Sequence, residues 1–323
     1  MDIEIIRDLQ QASDSKILFL VVDGLGGLPR TVDAKTELEA ADTPHLDELA
    51  GESLCGLHEP VGPGITPGSG PGHLALFGYD PLHYRVGRGV LSALGIGFDL
   101  RTGDVAVRGN FCTVDEKGRI TDRRAGRIAT DVNRRLCGVL RSIRVPGAEV
   151  FVETIKEHRF LLVFRGEGLA AEIGDTDPQA VGRPPVDPSS PRREAERTVR
   201  MVAEFVRQAG ERLRSEHPAN MVLLRGFAKR PEWPSFRDAY GLTAATAAGY
   251  PMYRGVARLL GMDALETLGT LEDEAAVAAR HWKAYDFFFL HVKQTDSAGE
   301  DGDFSRKTAE IEMVDRSIPQ LRA

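Results

Sequence analysis

A stretch rich in glycine and proline places one serine where it could act as a nucleophile. Residues 62–79 read GPGITPGSGPGHLALFGY, with Ser69 in the loop and a short apolar helix predicted from about Gly72. Glycine lets the backbone approach a ligand closely, because it adopts positive φ angles without strain. Free N–H groups and the dipole at a helix start favour negative charge, which suits a nucleophilic alkoxide and an arriving phosphate. The simpler alternative is an N-cap serine after a turn.

Acidic residues follow two predicted buried strands. Asp23 comes directly after the apolar run KILFLVV, Asp296 follows the run FFFLHV, and Glu300 lies four residues beyond Asp296. Because open α/β sheets bind ligands at the carboxyl ends of their strands, we expect Asp23, Ser69 and Asp296 at one rim. Such oxygen ligands suit Mn²⁺ or Mg²⁺, and a divalent ion would lower the pKa of Ser69 and polarise a phosphoryl group. The alternatives are an ordinary Asp-Gly turn and an acidic loop with solvated charges at 296–303.

The order of predicted elements favours an α/β fold with a mainly parallel sheet. Strands and helices alternate towards both ends of the chain, which is typical of parallel sheets with one shared crevice. Between residues 99 and 188 the pattern changes to β-β-α-β-β and ends in a polar, proline-rich stretch. We therefore predict an inserted α+β subdomain at 99–188 and a core formed by residues 1–98 and 189–323.

Composition argues against several classes of protein. The 323 residues are 42% hydrophobic and 28% charged, and the net charge of −7 argues against nucleic acid as the main partner. No apolar run approaches the roughly 20 residues that span a membrane, and the N-terminus lacks a signal-peptide pattern. Cys55, Cys112 and Cys137 show no CxxC spacing, which indicates reduced thiols and a cytoplasmic protein. The sequence leaves homo-oligomer formation open.

Arginine outnumbers lysine heavily in this chain. Its rigid guanidinium matches phosphate and carboxylate groups, so an anionic small substrate is one interpretation. A mere compositional preference for arginine is the other.

Several motifs resemble one family over essentially the whole chain. The aspartate-glycine pair after the first strand, TPGSGPGHLALFGYDP, RGNFCTV, EHRFLLVFRG, DTDP and HVKQTDSAGEDGD occur in the family's order. They are similar to motifs of the archaeal-type cofactor-independent phosphoglycerate mutases of the alkaline phosphatase superfamily. The resemblance implies an alkaline-phosphatase-like three-layer core.

The resemblance also implies roles for individual residues. Asp23 matches a metal-ligand aspartate, Asp296 matches a ligand of a second metal, and Ser69 matches the nucleophile, which ligates one metal and becomes phosphoserine. The implied substrate is a small phosphorylated carboxylic acid. The implied reaction interconverts 3-phosphoglycerate and 2-phosphoglycerate in glycolysis and gluconeogenesis, with Mn²⁺ or Mg²⁺ as cofactor. The inserted subdomain resembles the family's lid, which closes to keep water from the phosphoserine.

Arginines of the lid and core would hold the carboxylate and the phosphate of the substrate. We predict this role for Arg124, Arg127, Arg225 and Arg254. The family usually has lysine where Arg254 stands, and surface ion pairing is the alternative role for each of the four.

Two departures from the family pattern bear on activity. Glu300 stands where the family has a metal-binding histidine, and His291 is the last histidine of the chain. The family continues with a strand carrying an Asp-His metal pair and a further metal histidine. We therefore expect a truncated or naturally degenerate copy, with an open sheet edge and little mutase turnover with Mn²⁺.

Two other functions remain open at this point. One is a related metal-dependent phosphatase or phosphotransferase, which would release inorganic phosphate. The other is a non-catalytic homologue that binds a phosphorylated metabolite, which Glu300 and the missing histidines favour.

Overall fold

A computed structural model describes residues 3–323, and its internal contacts divide them into two compact units. The first unit runs as far as His83 and resumes at Trp233, and the second unit is Tyr84–Glu232. The strands, in chain order, are β1 (Ile17–Val22), β2 (Val105–Val114), β3 (Ile120–Asp122), β4 (Glu149–Lys156), β5 (Arg159–Arg165), β6 (Met221–Ala228), β7 (Ala244–Thr246), β8 (Asp263–Ala264) and β9 (Phe287–Val292).

Helices make up most of the remaining regular structure of the described chain. They are α1 (Ile3–Leu9), α2 (Glu37–Ala40), α3 (Pro44–Glu52), α4 (Ser69–Leu76), α5 (Arg88–Gly95), α6 (Thr130–Leu140), α7 (Glu196–Leu213), α8 (Phe236–Tyr240), α9 (Pro251–Leu259), α10 (Leu271–His281), α11 (Gln294–Glu300) and α12 (Phe304–Arg322). No helix within residues 3–323 is both long and apolar enough to cross a membrane.

The first unit contains a parallel sheet with the strand order β1-β9-β7-β8. Its strand β9 is buried along its whole length and packs with β1 and β7 over an apolar core that α10 and α12 cover. The register pairs Val22 with Val292, so β1 and β9 end side by side. The parallel pairing of these strands confirms the predicted α/β class. The prediction succeeds because continuous apolar runs are typical of strands that are buried on both faces of a sheet.

The second unit contains an antiparallel sheet in the order β3-β2-β5-β4, with β6 also paired to β2. Helices α6 and α7 pack against this sheet, and their apolar side chains form one core with those of the strands.

The structure corrects the predicted boundaries at 99 and 188. The sequence prediction places β6 with residues 189–323 in the parallel core, but this strand pairs antiparallel with β2 in the second unit. Helices α5 and α7 contact the same sheet, so this unit extends from Tyr84 to Glu232. The run MVLLRGFA predicts a buried strand, but an apolar run does not specify which sheet the strand joins.

Candidate functional site

Ser69 is the first residue of α4, three residues earlier than the predicted helix start. Gly68 precedes it as the N-cap with extended backbone, and no side chain caps the helix. The carbonyl oxygen of Ser69 lies 2.8 Å from Nδ1 of His73, one turn later. Ser69 is therefore not the N-cap of the simpler alternative, and its hydroxyl stays available for other contacts.

Asp23 directly follows β1, and its backbone is fixed to the elements beside it. Its N–H donates to the carbonyl of Val292 at 3.0 Å, and the Thr295 hydroxyl donates to its own carbonyl. The next residue, Gly24, has φ of +67°, and a Cβ there would lie 2.6 Å from Cα of Asp296. Glycine is needed here because the loop after β1 approaches α11 so closely.

A lysine lies between the two predicted carboxylates. Nζ of Lys293 is 3.0 Å from Oδ2 of Asp23, and it also donates to the carboxylate of Asp296. The hydroxyl of Tyr253 donates to the same Oδ2 of Asp23 at 2.6 Å. Burial raises the pKa of Asp23, but the hydrogen bond from Tyr253 and the charge of Lys293 outweigh it, so this pKa is lowered.

Tyr253 connects the serine to this acidic group. Burial and the hydrogen bond to Asp23 raise the pKa of Tyr253, while its interaction with the Ser69 side chain lowers it. Tyr253 is fully buried, so its hydroxyl is held in place. Ser69, Asp23 and Asp296 thus meet around the Tyr253 hydroxyl and the Lys293 ammonium.

Two buried histidines complete the surroundings. The ring of His291 stacks on Tyr253 with centroids 3.6 Å apart, and the ring of His73 lies 5.1 Å from that of His291. Nε2 of His291 is 3.6 Å from Oδ2 of Asp23. Burial and the neighbouring His73 lower the pKa of His291 to about 3, and burial lowers that of His73, so both rings are neutral near pH 7.

Sequence reasoning did not identify Tyr253, Lys293 or His291 as members of this group. Lys293 and His291 lie in the same HVKQTD stretch as Asp296, so this stretch carried a signal that could have been used. Tyr253 had none, because its role depends on how α9 packs against α4.

Glu300 stands apart from the converging acids. It is the last residue of α11, one helical turn beyond Asp296, and its side chain is exposed. Among the residues that the structure describes, no hydrogen bond or ion pair reaches Glu300. Its predicted role as a metal ligand stays a prediction.

Asp23 and Asp296 are the two acids that could contribute to a metal site here. Within residues 3–323, no three or more His, Cys, Asp or Glu side chains are grouped so as to hold a metal ion. The Lys293 ammonium nonetheless contacts both Asp23 and Asp296, so these two carboxylates already share one positively charged partner. These two carboxylates and the nearby Ser69 are ligands that a divalent ion prefers.

Two of the predicted arginines lie in a strained turn of the second unit. Residues 125–127 form a short 3₁₀ turn in which Ala125 has φ of 46° and Arg127 has φ of 51°. The carboxylate of Asp122 stabilises this turn by accepting from the backbone N–H groups of Arg124 and Gly126 at 2.7 and 2.6 Å. Such strain is concentrated at functional sites, because the surroundings must hold it.

These arginines surround a buried histidine. Burial lowers the pKa of His158 to about 3, helped by the positive charges of Arg159, Arg124, Arg108 and Arg127. The imidazole is therefore neutral, and the charge of the cluster comes from the guanidinium groups.

Arg225 belongs to a second group of charged side chains in the same unit. It donates to the side chain of Gln179 at 3.0 Å, and it forms ion pairs with Asp175 and Asp177 at 3.5 and 3.6 Å. Arg123 binds the buried Asp177 with two hydrogen bonds of 2.9 and 2.7 Å. These contacts fix the direction of Arg225.

Arg254, the fourth predicted arginine, belongs to the first unit. Its guanidinium donates to the carbonyl of Leu265 and to the carboxylate of Glu266 at 3.1 and 3.0 Å. The structure thus groups three of the four predicted arginines in the second unit and leaves Arg254 in the first.

Comparisons with known proteins identify the family to which this chain is related. A family model described as 2,3-bisphosphoglycerate-independent phosphoglycerate mutase matches residues 50–220. A Thermus thermophilus protein named as a probable 2,3-bisphosphoglycerate-independent phosphoglycerate mutase is 48% identical over 324 residues, which are 99% of this chain and 80% of the relative. A Deinococcus radiodurans protein of the same name is 50% identical over 332 residues, with the same coverage.

Two solved structures share the fold. A cofactor-independent phosphoglycerate mutase from Thermoplasma acidophilum is 32% identical, has a TM-score of 0.67, and is matched over 96% of this chain and 84% of its own. A Pyrococcus horikoshii protein is 28% identical, has a TM-score of 0.78, and is matched over 95% of this chain and 78% of its own. The chain therefore belongs to the 2,3-bisphosphoglycerate-independent phosphoglycerate mutase family, whose members are isomerases.

Proposed function

We propose that this chain interconverts 3-phosphoglycerate and 2-phosphoglycerate through a phosphoserine at Ser69. The observation that carries the proposal is the convergence of Ser69 at the start of α4, Asp23 directly after β1, and Asp296 in the first turn of α11. A serine that only caps a helix would not require two separate carboxylates beside it.

The transfer needs two steps and no co-reactant. Oγ of Ser69 attacks the phosphorus of 3-phosphoglycerate, the bond to the substrate's C3 oxygen breaks, and that oxygen takes up the serine proton. The C2 hydroxyl of the retained glycerate then attacks the phosphoserine, the bond to Oγ breaks, and the proton returns to Ser69. Tyr253 keeps Asp23 and Ser69 in this arrangement through its hydroxyl.

Asp23 and Asp296 would hold a divalent cation, Mn²⁺ or Mg²⁺, at the place where Lys293 now donates. When bound, the ion would act as a Lewis acid that favours the ionised form of Ser69. The lowered pKa of Asp23 keeps this carboxylate ionised and available as a ligand at neutral pH.

The arginine cluster of the second unit would bind the negatively charged groups of the substrate. Arg124, Arg127 and Arg225 are the predicted contacts, and Arg254 would have to act from the first unit. The whole unit Tyr84–Glu232 would serve as the lid, in place of the shorter segment 99–188. A phosphorylated small acid is the substrate that these charges favour. We also propose a cytoplasmic location, which suits the free thiols of the three cysteines.

The test is a mutase assay on the purified chain with 3-phosphoglycerate and Mn²⁺ or Mg²⁺. We expect 2-phosphoglycerate, and a phosphoryl group on the peptide that contains Ser69 after rapid acid quenching. Release of inorganic phosphate instead would indicate the phosphatase alternative. Binding without either product would indicate the non-catalytic homologue. The rate at which 2-phosphoglycerate forms with Mn²⁺ tests the expectation of low turnover.

A further inference from the structure

We infer that Glu274 is a positioning residue for the site around Asp23, because it ties together the two backbones that carry the stacked rings of Tyr253 and His291. Glu274 lies in the first turn of α10 and does not touch Asp23 itself. This inference rests on the proposed function, since it concerns how the groups of that site keep their places.

The carboxylate of Glu274 joins two backbone N–H groups. Its Oε1 accepts from the N–H of Gly249 at 2.9 Å, and its Oε2 accepts from the N–H of His291 at 2.8 Å. Glu274 is 1% exposed, so water does not compete for either bond. Within residues 3–323 no cationic side chain forms an ion pair with Glu274, so these two bonds are what hold the carboxylate.

One of these bonds continues the sheet where a neighbouring strand has ended. Strand β7 pairs with β9 only as far as Thr246, opposite Phe289. The N–H of His291 lies two residues further along β9, on the same edge as Phe289, and Glu274 supplies the acceptor that β7 no longer offers. The bond therefore fixes β9 two residues before Lys293.

The other bond fixes the entry to α9. Gly249 precedes Tyr250, the N-cap of α9, and Tyr253 lies in the first turn of this helix. A Cβ on Gly249 would lie 2.4 Å from Cα of Gly269, so the chain passes close to the loop before α10 at this point. Glu274 therefore ties the start of α9 to the start of α10.

The two backbones carry the rings that support Asp23. The rings of Tyr253 and His291 are buried and stacked, with centroids 3.6 Å apart. The Tyr253 hydroxyl donates to Oδ2 of Asp23 at 2.6 Å, and Nε2 of His291 lies 3.6 Å from the same oxygen. A displacement of α9 against β9 would therefore disturb the stack and move the hydroxyl away from Asp23.

The contacts of Glu274 differ from those of an acid that serves only its own helix. Its neighbour Asp273 accepts from the N–H of Leu268, just before α10, whereas Glu274 bonds 25 residues back and 17 residues ahead. Burial raises the pKa of Glu274 to about 7 and the charge of Asp273 adds to this, although the N–H groups of His291 and Gly249 lower it. A buried charge that costs stability in this way is common beside functional sites.

The experiment separates positioning from stability. The full chain and its variants Glu274→Gln and Glu274→Asp would be assayed for kcat and KM with 3-phosphoglycerate. NMR would follow the ring protons of Tyr253 and His291, because stacked rings shift each other's resonances and this readout needs no turnover. Asp315→Asn is the matched control, since Asp315 is also buried but accepts from the N–H of Leu46 on α3. Thermal unfolding would measure the stability of each variant.

We expect Glu274→Gln to lower kcat by about 10- to 100-fold, as a displacement of about 1 Å at a reacting group does. The amide can accept from only one of the two N–H groups, because its own NH₂ faces the other. KM should change by less than about threefold, since the arginine cluster that would bind the substrate is unaltered.

Glu274→Asp keeps the charge but is shorter by one methylene, so it should lose as much turnover as Glu274→Gln. The ring resonances of Tyr253 and His291 should move in both variants. They should stay in place in Asp315→Asn, even where that variant loses as much stability. If Glu274→Gln does not fold, Glu274→Asp provides the same comparison.

Unmoved ring resonances in the Glu274 variants, or the same movement in Asp315→Asn, would overturn the inference. Full turnover in Glu274→Asp would also overturn it, because the charge alone would then suffice. If the unchanged chain shows no mutase turnover, the proposed function fails, and the ring resonances alone decide whether Glu274 positions Tyr253 and His291.

Discussion

The acidic site of the first unit and the arginine cluster of the second unit balance their charges in opposite ways. In the acidic site, one internal ammonium, that of Lys293, contacts both Asp23 and Asp296. In the arginine cluster, Asp175 and Asp177 pair with Arg225, Asp177 also pairs with Arg123, and further arginines place positive charge around the buried His158. The first site is therefore only partly neutralised, since one ammonium faces two carboxylates, whereas the second site has an excess of positive charge. Ligand binding should accordingly stabilise the second unit directly, and in the first unit a cation has to replace one that is already present.

The largest expected effect separates chemistry from anion binding. Ser69→Ala should lower mutase turnover by at least about 10³-fold, because the nucleophile is lost. Binding of 2-phosphoglycerate should change by less than about threefold if the arginine cluster supplies most of the affinity. Steady-state kinetics and calorimetry measure the two quantities, and Ser305→Ala, at an exposed serine of the same unit, is the control. A parallel loss of binding would contradict the separation.

Asp177→Asn should have the next largest effect, because it removes an acid from the arginine cluster. The Asp177 side chain is 0% exposed and is bound by Arg123, so loss of its charge should cost about 3 kcal/mol of unfolding free energy at pH 7. Added phosphate should recover more stability in this variant than in the unchanged chain. Chemical denaturation measures both, with the exposed Asp187→Asn as control. Equal effects of the two substitutions would show that the pair is not a source of stability.

The same pair predicts a pH dependence. Burial raises the pKa of Asp177, but the hydrogen bonds from Arg123 and Gln179 outweigh it, so the folded pKa lies below the ordinary 3.8. Unfolded chains then bind more protons in this range, so the stabilisation is complete above about pH 4 to 5 and is lost as pH falls through the folded pKa. The stability difference between the unchanged chain and Asp177→Asn should thus shrink below about pH 4. A difference that stays constant down to pH 3 would exclude this account.

Lys293→Met is the corresponding change in the acidic site. It leaves two neighbouring carboxylates without their cation, and we expect a loss of about 2 kcal/mol in metal-free protein. We expect a smaller loss of unfolding free energy than for Asp177→Asn, because water screens these charges. The Lys293, Asp23 and Asp296 side chains are 17%, 24% and 25% exposed. Mn²⁺ should then stabilise the variant more than it stabilises the unchanged chain. Thermal unfolding with and without EDTA measures this, with the exposed Lys283→Met as control. A variant as stable as the unchanged chain would refute the stabilising role of the Lys293 charge.

Tyr253→Phe should have the smallest effect. It removes the hydroxyl that donates to Asp23, and losing a hydrogen bond to a charged group should cost about 1 to 2 kcal/mol. The pKa of Asp23 should rise, because a contact that favours the carboxylate is gone. Denaturation and NMR titration of the carboxyl measure these changes. Tyr285→Phe is the matched control, since that hydroxyl donates to Asp263 at the surface and should matter less. Equal losses in the two variants would show that burial of the Asp23 contact is unimportant.

The sequence predicted the parts of this molecule that depend on local pattern. The apolar runs before Asp23 and Asp296 indicated parallel strands, and parallel strands bring their carboxyl ends to one edge. The convergence of these acids with Ser69 could therefore be expected before the fold was known. Their roles in metal binding and catalysis stay predictions until the variants are measured.

Features that depend on tertiary packing could not be predicted in this way. Nothing in the run of β6 indicates that it pairs with β2, so the predicted segment ends at residue 188 whereas the second unit extends to Glu232. Tyr253 reaches Asp23 only because α9 packs beside α4.

The pairing of Val22 with Val292 has a consequence for how this protein can change. Asp23 and Lys293 each directly follow the last paired residue of their strand. They lie side by side because β1 and β9 have the same number of paired residues, from Ile17 and Phe287 onwards. Inserting or deleting one residue in either strand would turn one of these side chains to the opposite face of the sheet. The chain can exchange one apolar side chain for another in β1 and β9, but it cannot alter the length of either strand and keep the pair.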